Sequence, residues 1–389
     1  MTSEPSPVPR GQEKQILILA GEPSGDVHGG HLAAAIRKSS PHSRMTGIGG
    51  PNMEAAGVDL FYDIDQLSAM GVVEILGQFR QIRDAFRKFT RKMKQLDPDL
   101  VILIDYPGFN LRAAAWVKAH SRARVMYYIT PKVWAWNQRR LNKIKAHVDH
   151  AALIFPFEIP LYKKFDIPAT FVGTPLMDRY PHEPYPASAE SGNELTLGIL
   201  PGSRKAEVES LLGVMLDSAS LLKQKFPKLR ILISSAQSVQ GRLGERFNEI
   251  IDSHDLASHV QVVKGHPDRI FNQADLLVAA SGTVTLEAAL CTVPTILVYR
   301  MSPLTYKLAK LLVKVEYAGL ANLVAGQPVM PELLQDEASP QRIFDTALEM
   351  LQDLNYHRRQ LSLIRKRLGP PGCSRRAARI ALELAGSPP

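Results

Sequence analysis

Short aliphatic runs alternate with helix-length segments along this chain, and that alternation restricts the fold more than any other feature. Strands are expected at 15–20, 45–48, 100–104, 125–129 and 151–155, with a helix around 31–37 after the first of them. A polar, proline-bearing linker at 181–193 interrupts the pattern, which restarts with strands expected at 196–200, 230–234, 260–263, 276–279 and 295–298. Such alternation argues for parallel sheets with helices on both faces. The expected class is α/β with two Rossmann-like domains, at 15–180 and 194–350. A flexible tail at 1–14 and a basic helical segment at 351–389 flank them. In open sheets of this kind ligands sit beyond the carboxyl ends of the strands, so the turns leaving those ends should carry the chemistry.

Two such turns are built from small residues. In Leu200-Pro201-Gly202-Ser203-Arg204, Gly202 permits a tight turn, Ser203 offers a hydroxyl, and Arg204 a planar fork matched to phosphate oxygens. The competing reading is an ordinary capped helix start, with Glu207 completing an approximate capping box. In the second turn, which runs from Ala280 to Glu287, Ser281, Gly282 and Thr283 supply donors at a helix N-terminus. Glu287, about one helical turn on, suits two ribose hydroxyls. Together the turns suggest a nucleotide diphosphate. Neither fits a dinucleotide fingerprint or a Walker loop.

Asp105 follows the run at 100–104 and precedes a Pro-Gly turn, a position from which a carboxylate can take a proton from a hydroxyl. Capping the next helix is the alternative. Glu22 and Asp26, in Gly21-Glu22-Pro23-Ser24-Gly25-Asp26, either orient an acceptor or cap the first helix. Two D-x-D matches, at Asp63/Asp65 and Asp97/Asp99, are near what chance supplies among the aspartates of the chain, so no metal and no other cofactor is expected. Neither cysteine, Cys291 or Cys373, belongs to a metal-type pair, which fits a reducing compartment. The polar first residues lack the apolar core of a secretion signal, and no apolar run is long enough to span a bilayer.

The net charge of +9 is concentrated. Residues 80–94 carry seven Lys/Arg against one Asp, and 351–389 carry eight against two acids. Such surfaces face phospholipid or nucleic acid. Nucleic acid would need aromatics among the exposed cations, whereas in the helix expected over 75–96 Ile75, Phe79, Ile82, Phe86, Phe89, Met93 and Leu96 form one apolar stripe. That stripe packs in a core on the ordinary reading, or meets a membrane on the functional one. Met70, in Ser68–Val73, and the segment 306–314 add further apolar surface.

Ordered segments over nearly the whole chain resemble the lipid-A-disaccharide synthase family: AGEPSGD at 20–26, GIGGPNM at 47–53, SAMGVVEILG at 68–77, IDYPGFN at 104–110, ITPKVWAWNQRR at 129–140, LPGSRKAEVE at 200–209, ASGTVTLEA at 280–288, YRMSPLTYKLAKLLVK at 299–314 and GLANLVAG at 319–326. The resemblance implies a GT-B architecture with two domains facing a central cleft. It implies an inverting reaction that joins UDP-2,3-diacylglucosamine to 2,3-diacylglucosamine 1-phosphate through a β-1,6 bond and releases UDP. By the same resemblance Asp105 is the base, and Gly202, Ser203, Arg204, Ser281, Gly282, Thr283, Glu287, Tyr299, Arg300 and Asn322 hold the UDP-sugar. Glu22, Ser24, Asp26 and Met70 face the acceptor. A cytoplasmic protein on the anionic inner face of the inner membrane is implied, with no nucleic-acid partner, and with a homodimer that exchanges C-terminal segments as an alternative to a segment crossing back onto its own first domain. Where the family pattern has a second acid, this chain has Gly108. The rival readings are a UDP-N-acetylglucosamine 2-epimerase, a peptidoglycan-precursor transferase, or a non-enzymatic basic adaptor at a membrane.

Overall fold

The computed structural model describes residues 13–66, 75–180, 195–235, 242–256, 258–265, 267–302, 306 and 316–386. It divides into two units, Met1–Pro175 with Pro371–Pro389, and Leu176–Pro370. The proposed linker 181–193 lies outside the described residues.

In the first unit the chain runs β1 (Gln15–Ala20), α1 (Pro23–Ser39), β2 (Arg44–Gly49), α2 (Pro51–Ala55), β3 (Asp59–Asp63), α3 (Ile75–Leu96), β4 (Leu100–Ile104), α4 (Pro107–His120), β5 (Arg124–Tyr128), α5 (Arg140–His147), β6 (His150–Leu153), α6 (Ile159–Lys164) and β7 (Ala169–Phe171). The strands form one parallel sheet in the order β3-β2-β1-β4-β5-β6-β7. Every residue of β4 is buried, as a strand covered by helices on both faces must be.

The second unit, entered through α7 (Pro175–Arg179), contains β8 (Thr196–Leu200), α8 (Lys205–Lys225), β9 (Arg230–Ser235), α9 (Arg242–Asp252), β10 (Val260–Lys264), α10 (Asp268–Phe271), β11 (Leu276–Ala280), α11 (Thr283–Leu290), β12 (Thr295–Tyr299), α12 (Leu320–Ala325), β13 (Glu332–Leu334), α13 (Pro340–Leu351) and α14 (Leu354–Leu368). Its sheet is also parallel, ordered β10-β9-β8-β11-β12-β13.

Three strands escaped the sequence reading: β3, β7 and β13. All are sheet edges. Each of these three is short or half exposed, so it does not print an unbroken aliphatic run.

Both ends of the chain depart from the expected boundaries. The fold begins before residue 15: the Lys14 carbonyl accepts from the Arg44 amide at 2.8 Å, and Glu13 pairs with Arg44. The basic segment 351–389 is not one body. Its first helix, α14, buries Leu361, Ile364 and Leu368 in the second unit. The chain then returns, and α15 (Cys373–Gly386) packs against α1, β4 and β5 of the first. Cys373 Sγ donates to the Gly173 carbonyl at 2.9 Å and Arg376 Nε to that of Val172 at 2.8 Å. Within this chain α15 therefore belongs with the first unit.

The topology marks one place in each sheet. The strand order reverses between β1 and β4 in the first and between β8 and β11 in the second. At such switch points the outgoing turns diverge and leave a crevice. The turns are Gly21-Glu22 and Asp105-Tyr106 in one unit, and Pro201–Arg204 and Ser281-Gly282 in the other.

Candidate functional site

Asp105 stands at the first switch point on an unusual backbone. It and Tyr106 are consecutive non-glycine residues in the left-handed region, both at φ 44°. Each costs about 1–3 kcal/mol unless its surroundings impose it. Asn110 and Tyr127 do so. Asn110, itself buried, donates through Nδ2 to the carbonyls of Asp105 at 2.7 Å and Ile104 at 3.0 Å. The Tyr127 hydroxyl donates to the same Asp105 carbonyl at 2.8 Å. Gly21 completes the turn, because a methyl there would strike the Tyr106 ring.

Burial pushes the Asp105 carboxyl above the usual aspartate range, opposed by a hydrogen bond from the Tyr106 backbone and by the Lys132 cation. Glu22 is raised as well, by partial burial and by the Asp105 charge. Two acids therefore share this switch point. Gly108, where the resemblance leads one to expect a second acid, borders open space: a Cβ there would meet nothing within 4 Å.

Asp26, expected to face the acceptor, has another task. Its carboxylate accepts from the amides of Gly50 at 2.8 Å, Asn52 at 3.0 Å and Met53 at 3.0 Å, and from Asn52 Nδ2 at 2.7 Å. It caps α2 from the neighbouring helix α1 and is 1% exposed. Ser24 is exposed in the first turn of α1. Met70 lies outside the described residues.

At the second switch point Gly202 adopts φ +105°, and Glu207 fills the space its side chain would need. The Glu207 carboxylate accepts from the amides of Ser203 at 3.2 Å and Arg204 at 3.3 Å and pairs with the Arg204 guanidinium at 2.8 Å. The capping reading of this turn is thus realised in its geometry. The Arg204 side chain nevertheless remains 79% exposed.

The turn after β11 is more open. Gly282 and Thr283 are exposed, no side chain caps α11, and a side chain at position 282 would meet nothing within 4 Å. Packing does not demand glycine there. Its free amides at a helix N-terminus suit an anion.

Glu287 is buried beneath this turn within a cluster the sequence did not disclose. Tyr180 donates to Glu287 Oε2 at 3.0 Å, and Arg179 pairs with the same oxygen at 3.3 Å. Asp268 competes for that same Tyr180 proton and pairs with Arg179 at 2.9 Å. Burial raises the Glu287 carboxyl, while Arg179 and Tyr180 lower it.

One expected nucleotide contact is instead spent inside the unit. Asn322 is wholly buried: its Oδ1 accepts from the amides of Val329 and Met330, and its Nδ2 donates to the Met330 carbonyl and to Glu332. With both ends saturated it cannot also bond a ribose, and it serves as the brace of the loop between α12 and β13. Arg300 donates to the Ala338 carbonyl at 2.7 Å. Tyr299 ends β12, and Ser281 donates to the Ala318 carbonyl at 3.4 Å. Among the described residues no group of three or more His, Cys, Asp or Glu could hold a metal ion, and no helix is long and apolar enough to cross a membrane.

The family described as lipid-A-disaccharide synthetase matches residues 16–382. The chain belongs to that family. Among curated relatives, the lipid-A-disaccharide synthase of Geobacter metallireducens is 39% identical over 96% of this chain and 98% of its own. That of Coxiella burnetii is 38% identical over 88% and 90%. Solved structures extend the likeness to the fold alone. MurG of Acinetobacter baumannii superposes with a TM-score of 0.61 at 19% identity, covering 95% of this chain and 99% of that one. A UDP-GlcNAc 2-epimerase from Neisseria meningitidis gives 0.60 at 12%, over 95% and 99%. The two-sheet plan is therefore the GT-B architecture. Lipid-A-disaccharide synthase membership separates the chain from the epimerase and MurG readings, which share only that plan.

Proposed function

We propose that the chain is an inverting glycosyltransferase joining UDP-2,3-diacylglucosamine to 2,3-diacylglucosamine 1-phosphate. Asp105 takes the proton of the acceptor 6-hydroxyl as its oxygen attacks the anomeric carbon. The bond from that carbon to the diphosphate oxygen breaks on the opposite face, so an α-linked donor gives a β-linked disaccharide and UDP leaves with the bonding electrons.

The observation that carries this reading is the Asp105 turn, an acid held in a costly backbone conformation at a switch point by two side chains. Strain maintained at such cost marks a site whose geometry matters. Burial lifts its pKa toward the range useful to a base. The free amides of α11 and the exposed Arg204 guanidinium are assigned to the diphosphate, which makes a divalent cation unnecessary. Glu287 presents its remaining oxygen to the ribose. Because both substrates are acylated, the exposed Arg87 and Arg91 of the basic helix α3 are assigned to the anionic inner face of the membrane.

Asp105→Asn should lower turnover by roughly two to four orders of magnitude while leaving UDP affinity nearly intact. The assay is UDP release from the two lipid substrates with excess chelator present. Turnover like that of the unaltered chain would remove Asp105 from the role, and loss of turnover on chelation would restore a metal to it.

A further inference from the structure

Helix α3 does more than cover the sheet. Its stripe enters the core at Ala85, Phe89 and Met93, where Phe89 packs against Phe109 and Trp116 of α4 with ring centroids 6.3 and 5.7 Å apart. Toward its N-terminal end the two helices separate, and a pocket of about 580 Å³ opens between them. Its described lining is Ile82, Phe86, Phe109, Arg80, Arg83 and Arg112. Phe86 and Phe109 meet edge to face at 5.7 Å and form the apolar part. The size is that of a small-molecule site.

The charges are what single this pocket out. None of the three arginines has a carboxylate or any other hydrogen-bonding partner among the described residues, and the nearest acid along α3, Asp84, pairs with Lys88 at 3.3 Å. An ordinary solvated face scatters its cations. Here three line one pocket with the half-buried Phe86 and the buried Phe109 as its apolar wall, an arrangement that suits a ligand with an anion at one end and hydrocarbon at the other. The location has a consequence for the reaction, since Phe109 lies in the first turn of α4 and its ring is 6.3 Å from that of Tyr106, next to Asp105.

We propose that this pocket binds the acceptor, with its phosphate among Arg80, Arg83 and Arg112 and an acyl chain along Ile82, Phe86 and Phe109. The identity of the acceptor rests on the function proposed above; the pairing of phosphate with hydrocarbon rests on the pocket. The acceptor hydroxyl is thereby delivered from the α4 side of the Asp105 turn.

The test uses the full chain and a short-acyl diacylglucosamine 1-phosphate kept monomeric. Calorimetric titration without donor should show binding that weakens at least tenfold when the phosphate is removed. In Arg80→Ala/Arg112→Ala the acceptor Kd and KM should rise about tenfold or more, the loss expected for charge-assisted hydrogen bonds. The donor KM and sedimentation with anionic phosphatidylglycerol vesicles should stay within twofold, and Arg112→Lys should recover part of the loss. Unchanged acceptor affinity in the double variant, or indifference to the phosphate, would overturn the proposal. So would lost vesicle binding with acceptor affinity intact, which would make the pocket a bilayer contact. Phosphate-dependent binding without any UDP release by the unaltered chain would uphold the pocket and sink the proposed reaction.

Discussion

Asp26 and Asp105 show what a single residue reveals and what it hides. Both are acids just beyond a buried strand, and in one dimension either could serve chemistry or cap a helix. The difference lies in donors distant in sequence: Gly50, Asn52 and Met53 converge on Asp26, whereas the Asp105 backbone is held and its carboxyl left available. Asn322 was misread for the same reason, because its partners lie on the far side of a loop. Tyr127 was invisible as a site residue, since a tyrosine in a buried strand looks like core. Removing only its hydroxyl gives a clean measurement. Tyr127→Phe should lower kcat about tenfold, the worth of one hydrogen bond on the Asp105 carbonyl, with the donor KM unchanged. An equal change in both constants would make Tyr127 merely structural. Glu158, 2% exposed, offers a test in pH. Burial raises its carboxyl from 4.5 to about 8, so the folded chain holds a proton that the unfolded chain releases across that window. Stability should therefore fall as pH rises from about 4.5 through about 8. Glu158→Gln should flatten the dependence, as read from urea midpoints at pH 6 and pH 9.

At the level of elements, the central strands were legible because parallel strands buried on both faces write continuous aliphatic runs. The edge strands β3, β7 and β13 were not, because one side of each lacks a strand partner and polar residues enter. Helix α3 was legible, and it ends at Leu96 as expected, since its stripe follows a strict helical spacing. The stripe is core at Phe89 and Met93, as the ordinary reading had it, while Arg87 and Arg91 stay exposed. Charge reversal at those two positions, Arg87→Glu with Arg91→Glu, should strongly reduce sedimentation with anionic vesicles and leave the thermal midpoint nearly unchanged. Retained sedimentation would assign the membrane contact elsewhere.

For the whole molecule, the two-domain plan followed from the alternation of elements, but the true membership of each unit did not. Helix α15 belongs to the first unit although some two hundred residues of the second intervene. A periodic pattern tells that a helix exists and which face is apolar; it does not tell which sheet receives that face. Cys373, Ala377, Ala378 and Ala381 are fully buried there, so a chain ending at Leu368 would strip cover from α1. Such a truncation should destabilise the first unit by several kcal/mol, scaling with the apolar area uncovered, while the second keeps its secondary structure. Hydrogen exchange resolved by segment would measure both.

The return of α15 also bears on birth order. On the ribosome the first sheet emerges well before α15, the helix that closes over α1, β4 and β5, because the whole second unit lies between them in sequence. The first unit is thus completed only after the second has been made, and its exposed aliphatic surface must wait, or be chaperoned, in the interval.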